Sequence, residues 1–117
     1  MNKEMVKKWA DALVSGEYKQ TFGALKKNGC YCVLGVLCNL YKKETGKGDW
    51  NPLANYEVFL INDKCHTGTI PTEVQSWIGL SPSQLTAFAG ANDCGNSFSS
   101  ISSAIYKLLE EDEETNE

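Results

Sequence analysis

The spacing of apolar residues along the chain predicts five helices. Apolar positions recur at every third or fourth residue, the period of one helical face, between polar stretches rich in glycine, proline, asparagine and serine. Residues 33–44 are apolar nearly all round at their start, which is typical of a central, buried helix. The predicted helices cover residues 3–14, 33–44, 72–78, 82–89 and 98–111.

Residues at the expected helix ends support these boundaries. Asn2 and Ser97 stand directly before predicted helices, where a side-chain oxygen can accept a hydrogen bond from a free backbone N–H. Pro71 and Pro82 lie at helix starts, where the N–H that proline lacks is not needed. Gly79 follows a predicted helix, a position where the left-handed conformation open to glycine ends the helix.

One or two short antiparallel hairpins are predicted between the helices. Residues 56–61 are rich in strand-forming side chains, and the dipeptide Asn28-Gly29 favours a tight hairpin turn. Residues 49–55 lack both features and are predicted to form an irregular connection. The predicted hairpins pair residues 21–25 with 30–32 and residues 56–61 with 65–70.

These elements predict an α+β fold of about five helices with one or two small antiparallel β-hairpins. We expect a single globular domain over residues 1–111, because the length suits one domain and no linker interrupts it. The acidic run from Glu110 to Glu114 is typical of a solvated chain end. Residues 112–117 are therefore predicted to be an acidic, disordered tail.

Composition predicts a globular cytoplasmic protein. Apolar residues make up 42% of the chain and charged residues 22%, which is sufficient for a packed core. No apolar stretch approaches the roughly 20 residues of a membrane span. The first residues interleave charged with apolar side chains, unlike a secretory signal peptide. We therefore expect no membrane partner.

The charge is unevenly distributed and argues against DNA binding. Residues 1–48 carry nine lysines and four acids, whereas residues 49–117 carry two lysines and eleven acids. The chain contains no arginine, the residue that reads guanine edges and clamps phosphates with two parallel hydrogen bonds. An acidic protein without arginine lacks the basic surface that is typical of DNA-binding proteins.

Five cysteines raise the question of a disulfide framework, a metal site or a core. An odd number argues against complete pairing, and a reducing cytoplasm keeps thiols free. One residue separates Cys30 from Cys32, and Cys38 follows six positions later, a spacing that matches no familiar zinc module. Because free cysteine packs as a small apolar residue, we predict core positions, with Cys94 the one placed to be exposed. No metal or other cofactor is expected.

The sequence predicts no catalytic residue. His66 is the only histidine, and Asp93 would raise the pKa of the neighbouring Cys94 thiol, which weakens it as a nucleophile. The glycine-rich motifs that bind phosphate are absent from the sequence. The remaining catalytic hypothesis is a small hydrolase, which would need a cleft that joins Asp93, Cys94 and His66.

Two polar stretches are candidates for ligand binding. One is Tyr18-Lys19-Gln20, after the first helix, and the other is the predicted loop over residues 92–97, before the last helix. A loop that leads into a helix N terminus can bind an anionic group through free N–H groups. The alternative is structural: Asn92 and Asp93 form turn hydrogen bonds and Ser97 caps the helix.

Four motifs spread over residues 8–106 carry a family resemblance. They are Lys8-Trp9-Ala10-x2-Leu13-x-Ser15-Gly16-x-Tyr18-x-Gln20, Tyr31-Cys32-x-Leu34-Gly35-Val36-Leu37-Cys38-x-Leu40, Pro71-x2-Val74-x2-Trp77-x-Gly79-Leu80 and Asn92-Asp93-x-Gly95-x-Ser97-Phe98-x2-Ile101. Together they resemble a widespread group of small phage and prophage proteins. Many members have a second cysteine where this chain has Val33, which indicates a core position rather than a metal ligand.

The resemblance implies a protein that acts by binding in the cytoplasm of an infected bacterium. The leading hypothesis is a non-enzymatic binding protein that sequesters a nucleotide signal of a host defence system, with Trp50 and Tyr56 stacking on a base and Lys19 meeting a phosphate. The alternative hypothesis is an inhibitor that contacts a host protein. Assembly of the chain into a homo-oligomer is a further hypothesis. The candidate ligand-binding residues are Tyr18, Lys19, Gln20, Trp50, Tyr56, Asn92, Asp93, Gly95 and Ser97.

Overall fold

Five helices and a small antiparallel sheet make up this computed structural model, which describes the backbone of residues 1–115 and the side-chain surroundings of residues 1–112. The predicted α+β class is confirmed. The helices are α1 (Lys3–Leu13), α2 (Val33–Thr45), α3 (Thr72–Ile78), α4 (Pro82–Asp93) and α5 (Phe98–Thr115). The strands are β1 (Lys26–Lys27), β2 (Cys30–Tyr31), β3 (Asp49–Leu53), β4 (Tyr56–Ile61) and β5 (Lys64–His66).

Helix α2 is the centre of the core, as its apolar sequence predicts. Every residue from Val33 to Tyr41 except Asn39 is buried. Cys32 caps the start of the helix, since its sulfur accepts a hydrogen bond from the N–H of Gly35 at 3.4 Å. It ends at Gly46, which adopts φ +73° and donates its N–H to the carbonyl of Lys42.

Helices α1 and α5 pack side by side in antiparallel orientation. Ser102 donates its hydroxyl to the carbonyl of Ala10 at 2.8 Å, and Lys3 pairs with Asp112 at 3.2 Å near the other end of the contact. The buried stripe of α1 faces this contact and α2, and it consists of Val6, Trp9, Ala10 and Leu13. Asn2 caps α1 through a hydrogen bond from the N–H of Met5, as predicted.

The sheet has the strand order β2-β1-β4-β3, with β5 also paired to β4. The β1–β2 turn at Asn28-Gly29 has positive φ at both residues, the geometry that the dipeptide favours. The strand predicted over residues 21–25 is wrong, because β1 covers only Lys26–Lys27. The strand predicted over residues 65–70 is likewise shortened to Lys64–His66.

The irregular connection predicted for residues 49–55 is also wrong. Asp49–Leu53 form β3, which pairs with β4 in a register that places Trp50 opposite Phe59. Pro52 is tolerated because β3 lies at the sheet edge, where a strand has one neighbour. Pairing with the strongly strand-forming β4 therefore outweighs the poor strand propensity of the segment.

Helix α4 is longer than predicted, so that two candidate ligand-binding residues lie in the helix. The helix continues past residue 89 to Asp93, so Asn92 and Asp93 belong to its last turn and not to a loop. Helix α5 continues to Thr115. The tail predicted over residues 112–117 stays a prediction, since residues 116 and 117 lie outside the described residues. Among the described helices, none is long and apolar enough to cross a bilayer.

Two helical glycines give a test of how tightly α2 is packed. A Cβ atom on Gly35 would lie 1.9 Å from the carbonyl oxygen of Leu25, whereas a Cβ on Gly90 would meet nothing within 4 Å. We expect Gly35→Ala to lower the free energy of unfolding in urea by about 2 kcal/mol or more. Gly90→Ala, the matched control, is expected to raise it by about 0.5–1 kcal/mol, because alanine is the better helix former. Equal effects of the two substitutions would contradict this packing.

Candidate functional site

The end of α4 and the start of α2 are joined by the side chain of Asn92, which is fully buried. Its Oδ1 accepts hydrogen bonds from the backbone N–H of Val33 at 3.2 Å and from Nε2 of Gln20 at 2.9 Å. Its Nδ2 donates to the carbonyl of Thr21 at 3.0 Å. Asn92 thereby satisfies a free N–H at the start of α2 from a different helix, and it fixes the segment that follows α1.

Gln20 is engaged in the same hydrogen-bond network. Besides Asn92, it donates to the backbone carbonyl of Asn96 at 2.7 Å. The backbone on either side of it pairs with Tyr31, which donates its N–H to Lys19 and accepts from the N–H of Thr21. The structure thus brings two candidate ligand-binding residues, Gln20 and Asn92, together, but they bind each other and the backbone.

The other candidates near the end of α4 are exposed. Asp93 ends the helix, and Gly95 takes φ +92° in the turn that follows. Ser97 caps α5 by accepting the N–H of Ser100 at 3.1 Å, the structural role that the sequence also allowed. Of these three residues, only the Asp93 side chain offers a charged group to a ligand.

A two-armed cleft lies against this network. The inner arm has a volume of about 100 Å³ and the outer arm about 310 Å³, and the arms adjoin because Leu34, Gly68 and Ala89 line both. The remaining residues of the inner arm are Gly23, Ala24, Cys32, Asn92 and Asp93. The remaining residues of the outer arm are Thr69, Ile70, Gln75, Pro82, Leu85 and Thr86.

The two arms differ in chemistry. Leu34, Ile70, Pro82 and Leu85 give the outer arm an apolar lining. The inner arm ends at the Cys32 thiol and the Asp93 carboxylate, and Asp93 is the only charged residue among those that line the cleft.

The Cys32 thiol is held in its neutral form. Burial raises its pKa, and the nearby Asp93 charge acts in the same direction, while hydrogen bonds from the N–H groups of Gly35 and Leu34 oppose them. Because the thiolate is the reactive form, Cys32 is a poor nucleophile at neutral pH.

Tyr18 and Trp50 lie in a separate aromatic cluster. The rings of Tyr18 and Tyr31 are 4.9 Å apart, those of Tyr31 and Trp50 5.8 Å, and those of Trp50 and Phe59 4.9 Å, all edge to face. Asn39 bridges Tyr18 and Trp50, since it donates to the Tyr18 hydroxyl and accepts from Nε1 of Trp50. The cluster connects α2 with the sheet.

Lys26 closes this cluster. Its Nζ lies 5.0 Å from the Tyr31 ring centre, 5.3 Å from that of Trp50 and 3.3 Å from a carboxylate oxygen of Glu57. Burial lowers the pKa of Lys26, but interactions with Tyr31 and Glu57 outweigh burial and raise it above the ordinary value. The ring faces are therefore already in contact with a cation of the same chain.

Tyr56 and Lys19 do not join Trp50. Directly opposed residues in an antiparallel sheet share a face, and successive residues alternate. Trp50 is opposite Phe59 and Tyr56 is opposite Leu53, so the Trp50 and Tyr56 rings lie on opposite faces of the sheet. Lys19 is exposed. The nine candidate residues therefore form several groups and not one pocket.

The cysteines divide into buried and exposed residues. Cys32 and Cys38 are buried, Cys30 is half-buried, and Cys65 and Cys94 are exposed. The core prediction thus holds for Cys32 and Cys38 and is wrong for Cys65, whose side chain points away from the core at the short edge strand β5. Burial raises the pKa of the Cys38 thiol well above its usual value. Within the described residues, no group of three or more His, Cys, Asp or Glu side chains could hold a metal ion.

The outer arm of the cleft was not predicted as a site. Leu34, Leu85 and Ala89 belong to apolar helical stripes, which indicate core, and Gly68 and Thr69 belong to a segment that was predicted to be strand. No local signal marks these residues, because the cleft forms only when segments far apart in sequence pack together. The Asn-Asp pair at 92–93 was the one sequence feature that pointed to it.

Comparison with protein families gives a match over most of the chain. A family model with the description "Domain of unknown function (DUF8296)" matches residues 1–109. Neither a curated protein nor a solved structure matches the chain. The matched range contains every residue that lines the cleft. The resemblance to phage and prophage proteins stays a prediction.

The aromatic cluster predicts a large difference between two neighbouring lysines. Lys26→Ala removes the cation from the Tyr31 and Trp50 rings and from Glu57, and we expect a loss of about 1–2 kcal/mol in the free energy of unfolding. Lys27→Ala, on the opposite face of β1, is the control and is expected to change it by less than about 0.5 kcal/mol. Urea unfolding followed by tryptophan fluorescence measures both, and equal losses would contradict the assignment.

Proposed function

We propose that this chain, which belongs to the DUF8296 family, is a non-enzymatic binding protein whose recognition site is the two-armed cleft. The observation that carries the proposal is the cleft itself: an apolar outer arm of about 310 Å³ opens beside an inner arm of about 100 Å³ that ends at a carboxylate. Apolar clefts with a few placed polar groups are the usual form of binding sites.

The rigidity of the cleft walls supports a role in binding. Asn92 and Gln20 use their polar atoms on each other and on the backbone, so the inner end keeps its shape without a ligand. Every buried side-chain nitrogen or oxygen in the described part of the chain has a hydrogen-bond partner. A site prepared in this way loses little conformational entropy when it binds.

Binding is favoured over catalysis by the state of the nearest nucleophile. Burial keeps the Cys32 thiol protonated, and the Asp93 charge raises its pKa further. An activated cysteine instead needs an electropositive surrounding that lowers the thiol pKa. His66 lies on β5, near Glu73 of α3, whose pKa is lowered mainly by its own backbone N–H and by the Asn62 side chain and to a smaller extent by His66.

A protein partner fits this cleft better than a nucleotide. A phosphate-bearing ligand needs cationic or N–H donor groups, and the one charge at the cleft is the negative charge of Asp93. In view of the resemblance to phage proteins, we propose that the partner is a host protein in an infected bacterium.

Nucleotide binding is the second candidate, and one feature favours it. A groove of about 280 Å³ beside Tyr18 is flanked by Lys8 and Lys43. Both lysines already pair with carboxylates, Lys8 with Glu44 at 2.9 Å and Lys43 with Glu17 at 3.4 Å. A phosphate group would have to displace these partners, so we place this candidate second.

Two adjacent positions on α4 test the proposed site. Thr86 is exposed and lines the outer arm, whereas Ala87 is exposed and is not among the lining residues. Thr86→Arg fills the arm with a long charged side chain, and Ala87→Arg adds the same charge beside it. We purify each form of the chain by affinity from the bacterium in which it is produced. We expect the wild type and Ala87→Arg to carry one partner protein in stoichiometric amount, and Thr86→Arg to carry at least tenfold less of it.

The same preparations provide the contradicting outcomes. Equal recovery of the partner by both arginine variants would exclude the cleft as the binding site. A nucleotide released in equimolar amount on heating, from the wild type and from Thr86→Arg alike, would replace the protein-partner proposal with the second candidate. Thermal unfolding of both variants serves as the control for folding.

A further inference from the structure

We infer that the cleft binds an extended protein segment in which an apolar side chain fills the outer arm and an adjacent lysine or arginine pairs with Asp93. This inference rests on the proposed function and specifies the chemistry of the partner. It follows from the size of the outer arm, the sign of the one charge in the cleft and the exposed surface at its mouth.

The outer arm sets the apolar part of the partner. At about 310 Å³ it lies at the lower limit of pockets that hold small molecules, which leaves room for one large side chain. Leu34 and Leu85 are buried at its base, and Thr69, Pro82 and Thr86 at its rim are exposed. An apolar side chain placed there is removed from water, which favours binding in proportion to the apolar surface covered.

Asp93 sets the charge of the partner. Its side chain is exposed and lines the inner arm, and the ion pairs among residues 1–112 all involve other acids. No lysine lines either arm. A cationic group in the inner arm therefore gains an attractive interaction, whereas a carboxylate or phosphate is repelled.

The mouth of the inner arm favours a chain segment over a compact small molecule. Phe22 directly precedes Gly23, which lines the inner arm, and its side chain is 50% exposed. Exposed aromatic residues next to a pocket are typical of protein-binding surfaces. An extended segment that reaches beyond the inner arm at Gly23 can therefore gain further apolar contact from Phe22, which a compact small molecule cannot.

Short peptides test this chemistry without knowledge of the natural partner. The probes are acetyl-Leu-Lys-amide, acetyl-Leu-Glu-amide and acetyl-Gly-Lys-amide, titrated into the ¹⁵N-labelled full-length chain by NMR. We expect acetyl-Leu-Lys-amide to shift the backbone amides of Gly68, Ala89 and Asp93 most. We expect its affinity to exceed that of acetyl-Leu-Glu-amide by about two- to fivefold, the range of a solvent-exposed ion pair. We expect it to exceed that of acetyl-Gly-Lys-amide by about tenfold or more, because glycine leaves the outer arm unfilled.

Two carboxylate variants identify the charge that is responsible. Asp93→Asn is expected to abolish the preference for acetyl-Leu-Lys-amide over acetyl-Leu-Glu-amide. Asp63→Asn removes a charge from the β4–β5 turn, outside the cleft, and is expected to keep the preference. Asparagine suits the positive φ of residue 63, so this control is not expected to unfold.

The outcomes separate this inference from the proposed function. Equal binding of the lysine and glutamate peptides, or no effect of Asp93→Asn, overturns the charge assignment. Equal binding of the leucine and glycine peptides, or the absence of shifts at the cleft with all three probes, overturns the apolar anchor. In each case the proposed function is decided separately, by how much partner protein is recovered with Thr86→Arg and with Ala87→Arg.

Discussion

The buried amide of Asn92 is the interaction on which the rest of the structure depends. It provides the acceptor for the Val33 N–H at the start of the central helix, while the carbonyl of the same Val33 accepts Nε1 of Trp9 at 3.0 Å. The first residue of α2 is thereby fixed from α4 on one side and from α1 on the other. A buried N–H left without an acceptor costs about 1–3 kcal/mol, so this position strongly constrains how the helices meet.

The cleft is a consequence of that constraint. Because Asn92 holds the last turn of α4 against the first turn of α2, Asp93 and Cys32 come to lie at the same inner end. Gly35 allows the backbone of Leu25 to approach α2 closely, and the N–H of Leu25 bonds to the carbonyl of Thr67 at 2.8 Å. This contact places the segment around Gly68 along the cleft. Recognition chemistry thus lies on elements that the core already orders.

Local patterns in the sequence predict the helices well and the strands less well. Helical periodicity and end residues such as Asn2 and Gly79 act within a few positions, so the starts of α1 to α5 follow from the sequence. Strand β3 depends on pairing with β4, and the extension of α4 depends on the burial of Asn92, and neither is visible locally. For the same reason the sequence singles out Gln20 and Asn92 as polar residues, but it could not show that they bind each other or that Asn92 lies in the last turn of α4.

A double-mutant cycle between Gln20 and Asn92 tests the central claim most directly. The free energies of unfolding of the wild type, Gln20→Ala, Asn92→Ala and the double variant give the coupling between the two side chains. The account predicts that Asn92→Ala alone lowers the free energy of unfolding by about 2 kcal/mol or more and that the coupling is about 0.5–3 kcal/mol. Additive effects, or a loss below about 0.5 kcal/mol for Asn92→Ala, would contradict it.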